Sequence, residues 1–179
     1  MKNLLLPFIL FSAILFGQQN SFKEAGGLFP LYVVNGMVAN ESQVKAIGSP
    51  GISSVSVYKS DHLPEKLNHF SNFTAEGIID ITLKENTEVQ SAVSLDRLNI
   101  EHQLDELNPV YINRIFVKNN TVKILKDAII ETEIIENKGQ KLLNIWTVTK
   151  KERSGIVSGR RGIKSIPLER KTTKNVILK

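Results

Sequence analysis

Pro30-Leu31-Tyr32-Val33-Val34-Asn35-Gly36 and, about forty residues later, Gly77-Ile78-Ile79-Asp80-Ile81-Thr82-Leu83-Lys84 are the two phrases that decide how this chain is read. Leu31 to Val34 is a continuous apolar, β-branched run, and Asn35-Gly36 directly behind it is a turn signal. Behind Gly77 the run to Leu83 alternates in its second half, so that Ile79, Ile81 and Leu83 share a face. Between the phrases, Glu41 to Ile47 has the spacing of a short helix, with Val44 and Ile47 on one face and Asn40 as its N-cap. Gly48-Ser49-Pro50-Gly51 breaks that helix, and Ile52, Val55 and Val57 lie in a second strand-like run to Tyr58. Ser60 to Phe73 is the least regular part: His62, Leu63, Leu67 and Phe70 are loosely helical, and Pro64 is acceptable near a helix start.

The same order recurs at a shift of about 60 positions. Val33-Val34 falls on Val93-Ser94, and Val38, Gln43, Val44 and Ile47 fall on Leu98, Gln103, Leu104 and Leu107. Ile52 to Val57 falls on Ile112 to Val117, expected as one strand. With a four-residue insertion, Ile78 to Leu83 falls on Leu142 to Thr147. Such self-similarity marks a duplicated unit or, since any two alternating strands match by pattern, a coincidence. At the end of the second unit, Ala128 to Ile135 and Lys141 to Thr149 flank the turn Asn137-Lys138-Gly139-Gln140, which spells an antiparallel hairpin. From Lys151 the pattern dissolves into Gly, Ser and Pro interruptions, so 151–171 reads as loosely attached. Val176-Ile177-Leu178 is the one later run that could add an edge strand.

The chain has 179 residues, room for one ordinary domain or two small ones, and its 41% hydrophobic content is enough for a core. Lys2 followed by the 13-residue uncharged stretch Leu4 to Phe16 has the form of a secretory signal, taken as 1–18. A spanning helix needs roughly 20 apolar residues, so no transmembrane segment is expected after signal removal. There is no cysteine, which excludes disulfides, thiol chemistry and a lipidated cysteine; the expected location is the periplasm or outer-membrane face. Charge is uneven: residues 19–150 carry a net −3 and residues 151–179 a net +7. The basic character thus belongs to a tail, in which Arg160, Arg161, Lys164, Arg170, Lys171 and Lys174 are candidates for binding an anionic lipid or glycan surface by charge. No aromatics interleave with them, so nucleic acid is not expected.

Catalytic signals are poor. His62, His69 and His102 are the only histidines, and no metal or phosphate-binding motif is present. Asp105-Glu106, Glu131, Glu133 and Glu136 read as a solvated face, with Ile130 and Ile134 turned inward. Trp146 reads as a packing or edge residue. No catalytic, cofactor or metal residue is assigned.

Taken together, Pro30 to Gly36 resembles the start of the plug domain of SusC-type TonB-dependent outer-membrane receptors, where an aspartate usually stands at the place of Asn35. Leu107-Asn108-Pro109 with the run to Lys118 resembles the plug's next phrase, and Gly77 to Lys84 its closing one. The resemblance covers 30–84 and extends, more weakly, over 93–150. Leu63-Pro64-Glu65-Lys66 and Phe70 depart from the Tyr-Gly turn and small residues usual there. It implies an α+β fold of small mixed sheets with short helices, as plug-like units at 28–86 and 91–150, in two tandem copies if the repeat is real. It also implies a free-standing, non-enzymatic module without the barrel, acting on an envelope protein partner by protein–protein contact.

Overall fold

A computed structural model describes residues 29–59, 62–89 and 91–157. The signal at 1–18 and the candidate tail residues Arg160, Arg161, Lys164, Arg170, Lys171 and Lys174 lie outside the described residues, as does Val176-Ile177-Leu178.

β1 (Leu31–Val34) and β2 (Met37–Ala39) form a hairpin, because Asn35 and Gly36 both adopt positive φ, 47° and 80°. Two left-handed residues give the primed turn whose twist matches the strands it joins. Asn35 also ties the hairpin sideways: its N–H donates to Ile81 O at 2.9 Å and its Oδ1 accepts from Leu83 N–H at 3.0 Å. α1 (Glu41–Gly51) starts at Asn40, whose side chain accepts from Gln43 N–H at 2.9 Å while Gln43 Oε1 accepts from Asn40 N–H at 3.1 Å. This capping box satisfies two N–H groups that the first turn would otherwise leave unpaired. Gly48, at φ 66° and ψ 169°, interrupts the helix at the position its sequence marks.

β3 (Ile52–Tyr58) runs antiparallel to β4 (Ile78–Leu83), with a bulge between Ile52 and Ser54. Between them lies a 3₁₀ helix at Glu65–Phe73, which buries Leu67, Phe70 and Phe73. Their spacing of three is the 3₁₀ period, which explains why the segment looks irregular when read at 3.6. The Phe70 and Phe73 rings meet edge to face at 6.1 Å.

β5 (Ala92–Ser94) leads directly into α2 (Leu95–Glu101), and β6 (Val110–Ile112) turns back into β7 (Ile115–Phe116). β8 (Lys123–Leu125) precedes a second hairpin, β9 (Glu131–Asn137) and β10 (Gln140–Trp146), closed by Lys138 and Gly139 at φ 52° and 80°. α3 (Lys150–Val157) follows.

These strands make two mixed sheets, a six-stranded one in the order β3-β4-β1-β2-β8-β5 and a four-stranded one in the order β7-β6-β10-β9. The α+β expectation of small mixed sheets with short helices is met, and no closed barrel forms among the described residues. One continuous hydrophobic cluster joins both sheets, from Leu31, Val33 and Phe70 to Val110, Leu143 and Ile145.

Several details differ from the expected repeat. β5 and β8 belong by position to the second unit, yet they extend the first unit's sheet through the parallel β2–β8 pair. β3 pairs antiparallel with β4, whereas in the second unit the strand beside β10 is β6, which pairs with it parallel and shares only Ile112 with the matched segment. Gln43 sits in the first turn of α1, but Gln103 lies beyond the end of α2 with φ 59°. The expected strand from Ile112 to Val117 is instead the β6–β7 hairpin, turning at Asn113 and Arg114 with φ 51° and 69°. Asn113 holds that turn by donating to Thr147 Oγ1 at 2.8 Å and accepting from Thr147 N–H at 2.9 Å, while Asn144 Oδ1 accepts from Arg114 N–H at 2.8 Å. These long-range partners are invisible to a local pattern.

Candidate interaction surface

Two seven-residue strands end the sheets, and they present opposite surfaces. β3 carries no charged residue from Ile52 to Tyr58, and its five central residues are all exposed. Val55 and Val57 stand opposite Ile81 and Ile79 in the ladder and so share their face, but remain 49% and 54% exposed. On the other face Ser56 stands opposite Asp80, which is buried and paired to Lys66 Nζ at 2.8 Å. That contact raises the Lys66 pKa above its usual value, chiefly through the hydrogen bond to Asp80. Among the described residues no further strand is hydrogen-bonded outside β3, so within them one row of its backbone N–H and C=O groups faces no partner strand and can take one.

β9 is built differently. Glu131, Glu133 and Ile135 stand opposite Trp146, Asn144 and Leu142 and share their face. Glu133 Oε1 accepts from Asn144 Nδ2 at 2.9 Å and Trp146 Nε1 at 3.1 Å, with Arg114 at 3.8 Å. Glu131 receives Arg153 at 2.5 Å and Lys150 at 3.1 Å, contacts that hold its carboxyl below the ordinary carboxylate range. The Arg153 and Arg114 guanidinium groups lie 4.1 and 5.6 Å from the Trp146 ring centroid, within the range of a cation–π attraction. Of the acidic residues expected on a solvated face, Asp105, Glu106 and Glu136 are exposed, whereas Glu131 and Glu133 are half-buried acceptors of a polar network. Ile130 and Ile134 do lie on the opposite side from these carboxylates, yet at an edge strand they stay 45% and 49% exposed. The missed signal is Thr149-Lys150-Lys151-Glu152, a capping box: Thr149 Oγ1 and N–H both donate to Glu152, and Glu152 N–H donates back to Thr149 Oγ1. It starts α3 where the pattern was read as dissolving, and α3 then lays Arg153 on Trp146.

A groove of about 360 Å³ lies where β1 and the start of α1 meet the segment that joins β10 to α3, lined by Pro30, Tyr32 and Ile130 together with Glu41 and Glu152. Burial, with Glu41 nearby, raises the Tyr32 pKa, which keeps the phenol neutral. The histidines do not converge. His62 is exposed; His69 lies against Phe70 at 4.1 Å, where burial lowers its pKa; and His102 ends α2. Among the described residues no group of three His, Asp or Glu side chains is placed to hold a metal, and no helix is long and apolar enough to cross a membrane. Comparison with protein-family models, curated proteins and solved structures finds no match to this chain.

Proposed function

We propose that this chain is an exported, plug-like, non-enzymatic interaction module of the periplasm or outer-membrane face, acting by contact with an envelope protein. The observation that carries the reading is the outer edge of β3, which is long, uncharged and, among the described residues, without a further strand, with two valines left half exposed. Such edges are usually blunted by charge, proline or shortness, and one left open is a template for an added strand. The leader-like Leu4 to Phe16 supports export, and the mixed sheet with short helices at 31–83 supports the plug-like part of the reading. The test is capture from envelope extracts by immobilised full chain, with V55K/V57K as the paired control. Retention of the same proteins by both would remove β3 from the mechanism, and no specific retention by either would remove the function.

The uneven charge favours a second reading, binding of an anionic lipid or glycan surface by the tail. Because 150–157 is the helix that seats Arg153, the deletion that tests it begins at Ser158, leaving out seven Lys/Arg and one Glu. Salt-sensitive binding to anionic vesicles that survives this deletion would overturn it.

A further inference from the structure

We infer that β3 pairs with β3 of a second copy of this chain, antiparallel about a two-fold axis at Ser56. The inference rests on reading β3 as the docking edge and names the occupant that its own sequence fits. Beyond the bulge, the regular ladder spans Ser54 to Tyr58, five residues centred on Ser56. An antiparallel pair centred there places Val55 opposite Val57 of the second copy, twice, on the face shared with Ile79 and Ile81. Ser54 then meets Tyr58, and Lys59 meets Ser53 rather than a second lysine.

β-branched pairs directly opposite each other stabilise a ladder, and like charges opposite each other destabilise it. This register gives the first without the second. It removes from water the valines that the single chain leaves 49% and 54% exposed. The contact uses the same surface on both copies, so it closes at two and does not propagate. The other sheet ends do not compete: β5 has three residues, β7 has two, and β9 carries Glu131, Glu133 and Glu136. Five residues a side make a small interface, well under the roughly 1,200 Å² of stable complexes, so the dimer is weak and concentration-dependent. Self-pairing therefore covers the edge reversibly, and an envelope partner must displace the second copy to dock there.

The chain has no cysteine, so a single introduced thiol reports the register without interference. Residues opposite each other in an antiparallel pair have Cα atoms about 4.5–5.5 Å apart, within the range a disulfide spans. The full chain, expressed from Met1 so that the host processes any leader, carries Ser56→Cys in one sample. The exposed Leu107→Cys serves as control in another. Ser56→Cys is expected to form a linked dimer at least about tenfold faster, because pairing raises the local thiol concentration. The cysteine-free chain is expected to show a monomer–dimer equilibrium by sedimentation, and V55K/V57K to be monomeric with an unchanged circular dichroism spectrum. Equal rates for the two cysteine variants, or a parent chain monomeric at every concentration, would overturn the self-pairing. If V55K/V57K still abolished capture of envelope protein in that case, the proposed function would stand without it.

Discussion

β3 and β9 are strands of equal length, each pairing antiparallel with one neighbour at the end of its sheet, yet they meet solvent in opposite ways. β9 carries three glutamates, two of them anchored to Arg114, Lys150, Arg153, Asn144 and Trp146. β3 alternates serine and valine from Ser54 to Val57, and among the described residues β4 is the only strand it pairs with. A carboxylate on an edge repels an incoming strand unless that strand supplies a cation, so β9 is closed to general pairing. The contrast shows that edge protection here is local: it is spent on the smaller sheet and withheld from the larger.

Four changes would break or sharpen the contrast. The largest effect is expected from Phe70→Ala, which removes a fully buried ring from the hydrophobic cluster that joins both sheets. Burial of Phe70 is complete, and such truncations cost about 3–5 kcal/mol, read as a lowered urea midpoint. A loss under about 1 kcal/mol would mean that the 3₁₀ helix is not part of the shared core.

Next comes Asn144→Ala in the closed edge. Asn144 is fully buried, and its loss leaves the Arg114 N–H without its acceptor and one donor fewer on Glu133. About 1–3 kcal/mol is expected, and the emission of Trp146, the single tryptophan, should shift with it. An unchanged emission maximum would detach the network from the indole.

The two regions also differ in their response to acid. Burial lowers the His69 pKa below its ordinary 6.5, so the folded state holds fewer protons there than the unfolded one. Its contribution is intact above that value and falls as pH drops through the window below it. Glu131 is likewise depressed, by Arg153 and Lys150, and its contribution falls at lower pH, through the carboxylate range. Urea midpoints between pH 7 and 3 should therefore decline in two steps, and His69→Gln should flatten the first alone. Persistence of the first step in that variant would assign it elsewhere.

The smallest stability change belongs to V55K/V57K, within about 0.5 kcal/mol because both side chains already face water, although association through β3 should be lost. A cooperative loss of folding would show instead that these valines are core.

Much of the first unit was legible in the sequence because its determinants are short-range. Asn35-Gly36, the N-cap Asn40 and the break at Gly48 act within a few residues and appear where the pattern puts them. The β9–β10 hairpin was legible for the same reason, since Lys138-Gly139 supplies the two positive φ angles its turn demands. Short β5, β7 and β8 were not, because strands of two or three residues carry too little period to count. Nor was the surface: Ser-Val alternation looks alike in a buried strand and at an open edge, and only the pairing order leaves β3 outermost.

By itself the sequence determined the class of fold, the two hairpin turns at Asn35-Gly36 and Lys138-Gly139, the start of α1 and the separation of a basic tail from a near-neutral body, all matters of composition and of contacts close along the chain. Only the tertiary structure decided that β5 and β8 join the first sheet, that Arg153 comes back 22 residues to Glu131, and that β3 is the outermost described strand of its sheet. Those outcomes depend on which distant segments bury surface together, and a buried apolar face accepts any partner of suitable shape until the whole chain has chosen one.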